Sequence, residues 1–112
     1  MNKTLFIKLL GPDQYDKLSG LNPCPDSLNV MTQFLELIPQ NRKFSGNVAI
    51  KVMSDNSLKL DVRNDSSHLC IMFFPEDIWY GIPKIMSDIP ITNFKMGKLI
   101  DLITKEGYLI DR

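Results

Sequence analysis

Residues 48–74 read VAIKVMSDNSLKLDVRNDSSHLCIMFF. Val48, Ile50 and Val52 alternate with Ala49, Lys51 and Met53. After Ser54-Asp55-Asn56-Ser57, Leu58, Leu60 and Val62 alternate with Lys59, Asp61 and Arg63. Two period-two runs joined by turn formers predict a β-hairpin with one wetter face. Asn64-Asp65-Ser66-Ser67 turns the chain again. His68 to Phe74 is then apolar at odd and even positions alike, the pattern of a strand covered on both faces. It is expected at the centre of a sheet, between Leu58–Arg63 and an N-terminal strand.

Outward from that hairpin the punctuation is clear. Thr4 to Leu10 is read as that N-terminal strand, with a short helix as the alternative for so brief an apolar run. Pro12 suits the first turn of a short helix through Ser19, which Gly20 stops. Leu21 to Pro25 holds two prolines and predicts a loop. Asp26 and Ser27 are N-cap residues for a helix over Ser27 to Ile38, where Leu28, Met31, Phe34, Leu35 and Ile38 recur at spacings of three and four. Pro39 ends it.

Beyond the central strand, Pro75-Glu76-Asp77 reads as a helical turn and Lys84 to Asp88 as another. Thr92 or Asn93 caps a final helix carrying Phe94, Met96, Leu99, Ile100, Leu102 and Ile103, with Gly107 as its C-cap. Tyr108-Leu109-Ile110 is a short terminal segment suited to an edge strand. The fold class is α+β: an antiparallel sheet of about four strands with the two longer helices packed on it.

The chain has 112 residues, the size of a single domain spanning 1–112. Its 44% hydrophobic and 23% charged content is that of a folded globular protein and excludes disorder. Thirteen basic residues balance thirteen acidic ones. That balance argues against direct nucleic-acid binding, whose phosphate contacts need a basic surplus. No run approaches the roughly 20 apolar residues of a membrane span. Leu5-Phe6-Ile7, broken by Lys8, is too short for the apolar core of a signal peptide. Cys24, in the loop Asn22-Pro23-Cys24-Pro25, and Cys70, within the central strand, are expected as two free thiols in a reducing cytoplasm.

No catalytic set stands out. His68 is the sole histidine and neither cysteine has a partner at metal-ligand spacing, so no metal site is expected; Asp61, Asp65 and His68 are the nearest approach to one. A Cys24–His68 pair lacks an orienting group and an oxyanion hole. The six glycines show no phosphate-loop spacing, and no cofactor site is expected. Lys98, Asp101 and Lys105 are spaced as ordinary helix ion pairs.

The stretch that stands apart is Phe73-Phe74-Pro75-Glu76-Asp77-Ile78-Trp79-Tyr80-Gly81-Ile82-Pro83. It holds the only tryptophan, with two acids and two prolines around it. Aromatics framed by rigid turns supply contact area at low entropic cost. Phe74, Glu76, Asp77, Trp79 and Tyr80 are the expected partner-binding residues, beside a competing role for Trp79 and Ile82 in sealing the core.

In size and organisation the chain resembles the small immunity proteins of bacterial toxin systems, such as contact-dependent growth inhibition. Phe74 to Tyr80 matches the toxin-facing surface of such a protein. The resemblance implies a cytosolic, non-enzymatic domain that occludes a toxin and needs no cofactor. Zero net charge departs from the acidic inhibitors of nuclease toxins and implies shape and local charge instead. The alternatives are another interaction module (a phage-encoded inhibitor, a secretion chaperone or an assembly subunit) and a small-ligand binder or enzyme using Cys24, Asp65 and His68. An unpaired edge at Val48–Met53 would allow a homodimer.

Overall fold

A computed structural model describes residues 3–65, 67–83 and 85–112. The class is α+β. Three helices, α1 (Lys3–Leu10), α2 (Pro12–Gly20) and α3 (Pro25–Glu36), precede the strands. Strand β1 (Arg42–Phe44) leads into β2 (Asn47–Val52), β3 (Leu58–Arg63), β4 (His68–Phe73), β5 (Asp77–Ile82) and β6 (Ile85–Pro90). Helix α4 (Asn93–Lys105) and strand β7 (Leu109–Asp111) close the chain. Strands β2 to β6 form one antiparallel five-stranded sheet in sequence order, and β1 pairs with β7 in a separate two-stranded sheet.

The expected hairpin is present, with Val48 opposite Val62 and Ile50 opposite Leu60. Asp55 shapes its turn by accepting from the amide of Ser57 at 3.0 Å and from the Ser57 hydroxyl. The central strand β4 lies between β3 and β5, so the expected N-terminal neighbour is replaced. Residues 4–10 belong to α1 because Phe6, Leu9 and Leu10, at i, i+3 and i+4, are the side chains that reach the core. The alternation of Leu5, Ile7 and Leu9 that suggested a strand is a by-product of a short, nearly all-apolar run. Gly11 adopts φ +91°, which lets α2 start at once on Pro12.

The two helical turns expected after β4 are also replaced. Pro75 and Glu76 are the loop of the β4–β5 hairpin, closed by the Phe74 amide donating to the Asp77 carbonyl at 3.0 Å. Residues 85–90 form β6 rather than a turn of helix; Lys84, like Ser66 and Met1-Asn2, lies outside the described residues. The sheet therefore has five strands instead of about four.

One face of the sheet carries Ile50, Leu58, Leu60, Val62, Leu69, Ile71, Phe73, Ile78 and Ile82, all buried. Helix α3 presents Val30, Met31, Phe34 and Leu35 to this core, and Phe34 meets Phe73 with ring centroids 5.6 Å apart. Helix α4 adds Met96, Leu99, Ile100 and Ile103. Thr92 caps it, its hydroxyl accepting from the Lys95 amide at 3.1 Å, and Gly107 at φ +87° releases the chain toward β7. Gly46 permits a close passage: a Cβ there would lie 2.0 Å from the Arg63 carbonyl oxygen. Among the described residues, no helix is long and apolar enough to cross a membrane.

Candidate functional site

Among the described residues, no helix packs on the second face of the sheet. Its composition follows from the two-residue period of the strands. Since Leu69, Ile71 and Phe73 point into the core, His68, Cys70 and Met72 point the other way, and all three are half-buried. This parity explains the doubly apolar sequence of β4: one set of side chains packs under helices, the other lies on the open face. The cross-strand register places Lys59, Met72, Trp79 and Asp88 in one row across that face. Asp61, Cys70, Gly81 and Met86 form the next row.

Phe74, Pro75, Glu76, Asp77 and Trp79 line a shallow groove of about 400 Å³ at the β4–β5 hairpin. Four of the five expected partner-binding residues thus meet. The fifth does not: Tyr80 alternates to the helix side of β5 and packs against the core. Trp79 remains 37% exposed, and its indole Nε1 donates to Asp77 Oδ2 at 3.0 Å. Because Asp77 and Trp79 are two apart on one strand, they share the open face, and the hydrogen bond fixes the ring. Met86, 71% exposed, extends the apolar surface along β6, while Ile85, 45% exposed, alternates to the side of Ile82 at the end of the hairpin. Sequence reasoning missed Met72, Met86 and Asp88, which reach this surface only through the strand register.

A second depression, of about 600 Å³, is lined by His68, Cys70, Gly81, Ile82, Pro83, Ile85 and Met86. Beside it Asp61 is buried, 2.8 Å from His68 Nε2 and 3.8 Å from Lys59 Nζ. Burial and then the Asp61 charge push the Cys70 thiol above its ordinary range. It therefore stays protonated at neutral pH, the opposite of what a nucleophilic cysteine requires. Cys24 is far from this cluster. Its amide donates to the Asn56 carbonyl at 2.7 Å, at the hairpin end of β3, whereas His68 pairs with Arg63 at the other end. The two are separated by a strand length of roughly 17 Å. Of the three residues named as the nearest approach to a metal set, Asp61 and His68 meet, while Asp65 stays exposed in its turn. Among the described residues, no three His, Cys, Asp or Glu side chains are grouped to hold a metal ion.

The sheet's two edges differ. Along β2, helix α2 lies alongside, and Gln14 Oε1 accepts from the Ile50 amide at 2.9 Å. The edge at which the sequence would allow a homodimer is thus partly occupied by the chain's own helix. On β6, the antiparallel alternation turns the N–H and C=O groups of Met86 and Asp88 away from β5. Among the described residues nothing hydrogen-bonds the outward amides of Met86 and Asp88.

Comparison with family models, with curated proteins and with solved structures finds no match. The site's geometry and chemistry therefore carry the functional reading.

Proposed function

We propose that this chain is a non-enzymatic, protein-binding inhibitor: a cytoplasmic immunity protein that binds a bacterial toxin domain and neutralises it. The open face of the sheet is its docking surface. One observation carries the reading. The only tryptophan of the chain sits on the helix-free face, locked by Asp77, between Met72 and an exposed Met86 strand. A large ring held in place loses little entropy on binding, and neighbouring methionines adapt to a partner's contour.

Capture with the tagged protein from its native host tests this. A stoichiometric polypeptide that is toxic when expressed alone, and harmless when co-expressed with this chain, is the expected result. Trp79→Ala should weaken that complex far more than it lowers the denaturation midpoint. A captured partner without toxicity would move the chain to another class of interaction module. Equal loss of binding and of stability on Trp79→Ala would return the tryptophan to a core-sealing role.

A further inference from the structure

Three carboxylates surround the exposed indole. Asp77 lies two residues before it on the same strand face and holds its Nε1–H at 3.0 Å. Asp88 is its direct neighbour across the β5–β6 ladder. Glu76 rises from the hairpin loop on the rim of the same groove. The other walls are Phe74 and Pro75. Elsewhere, Arg42 pairs with Asp111 at 3.0 Å, and both Lys59 and His68 reach Asp61. Among the described residues no cation pairs with Glu76, Asp77 or Asp88.

The π face of an indole carries negative potential, so carboxylates around it add to one another instead of cancelling. The complement of such a surface is a cation with a flat, weakly hydrated face. A guanidinium fits on every count. It stacks on an aromatic ring, forks two N–H donors to a carboxylate, and sheds water more readily than an ammonium. We propose that the groove at the β4–β5 hairpin recognises an arginine side chain of the partner protein. The inference rests on the docking reading above and supplies its local chemistry. Two of the chain's own arginines are engaged: Arg42 with Asp111, and Arg112 with the Lys8 carbonyl at 3.1 Å. Only Arg63 stands exposed with no side-chain hydrogen bond or ion pair to another described residue, which makes a second copy the natural rival occupant.

Trp79, as the sole tryptophan, reports on the groove directly by its fluorescence. The probe is the blocked tripeptide acetyl-Gly-Arg-Gly-amide. The controls are the same peptide with citrulline, which keeps the shape and loses the charge, and with lysine. The arginine peptide should give a saturable change with half-saturation at roughly millimolar concentration, as a single-side-chain contact allows. The lysine peptide should bind more weakly, and the citrulline peptide at least about tenfold more weakly. Glu76→Gln with Asp77→Asn, which keeps an oxygen for the indole, should weaken the arginine peptide about tenfold. Should that double variant lose its fold, Glu76→Gln alone, at an exposed loop position, should weaken it about threefold.

A linear, unsaturable response, or equal binding of the citrulline peptide, overturns the proposal. So does self-association that Arg63→Ala abolishes, since that assigns the groove to a second copy. The docking reading fails separately: saturable arginine binding, with partner capture indifferent to Trp79→Ala, would leave the groove standing and move the docking surface elsewhere.

Discussion

The two flanks of the five-stranded sheet are built to opposite specifications. On the β2 flank, helix α2 runs beside the edge and Gln14 occupies the Ile50 amide. The open face there carries Ala49, Lys51, Lys59 and Arg63, short or charged side chains that water solvates well. On the β6 flank no described residue hydrogen-bonds the outward amides of Met86 and Asp88, Met86 and Ile85 are exposed, and Trp79 lies one strand in. Exposed edges with apolar side chains invite pairing with another chain, and proteins cover or charge them where pairing is harmful. Under the docking reading proposed above, this asymmetry would put the partner on the second flank. The acids beside Trp79 and the proline at the end of β6 would then restrict which partners fit.

Substitutions separate the flanks. Phe73→Ala, on the core side of the central strand against Phe34, should cost about 4 kcal/mol of stability, read by chemical denaturation, because it empties a fully buried ring site. Both flanks should fail together in that variant, since β4 joins them. Trp79→Ala should lower partner affinity at least about 30-fold, the size of a hot-spot loss, and cost the fold less than about 1 kcal/mol. Gln14→Ala leaves the Ile50 amide to water. It should cost about 1 kcal/mol and speed hydrogen exchange at Ile50 toward the fast rates expected at Met86 and Asp88.

The smallest effects are those of pH. The Ser57 hydroxyl and then its amide hold the Asp55 carboxyl below its ordinary value of 3.8. The ionised form is the one favoured by folding, so its contribution is full above that value and fades as pH falls through the lowered native pKa. Burial raises the Cys70 thiol instead, so the stability tied to its protonated form is full below the ordinary thiol range. That contribution is lost as pH rises through the raised native value. Alkylation followed by mass spectrometry should find Cys70 slow to react at pH 8 and faster in stronger base.

The comparison also explains what could be read from the chain itself. The β2 hairpin, β4, α3 and α4 were legible because each keeps one apolar set at a fixed period and buries most of it, Phe94 at the start of α4 being the exception at 66% exposed. The β5–β6 hairpin broke that rule. Ile85 and Met86 are exposed, Gly81 interrupts β5, and Pro75-Glu76 resembles the start of a helix while serving as a hairpin loop. Apolar residues left exposed obscure the pattern by which residues placed for the core are recognised. Phe74, Glu76, Asp77 and Trp79 could be singled out by composition. Whether Tyr80 joined them depended on strand parity, which the helical turn expected at Pro75-Glu76-Asp77 left undefined. Met72, Met86 and Asp88 come from three different strands, and only the register brings them to Trp79.

The central claim is that docking belongs to the β5–β6 flank. Its most direct test is a titration of the captured partner against the wild-type chain, Trp79→Ala and Lys51→Ala, with the denaturation midpoint of each variant measured alongside. The account predicts a loss of at least about 30-fold for Trp79→Ala and less than about twofold for Lys51→Ala, at nearly unchanged stability. A partner that binds Trp79→Ala as tightly as the wild type, and loses affinity with Lys51→Ala, would place the docking surface on the other flank and contradict it.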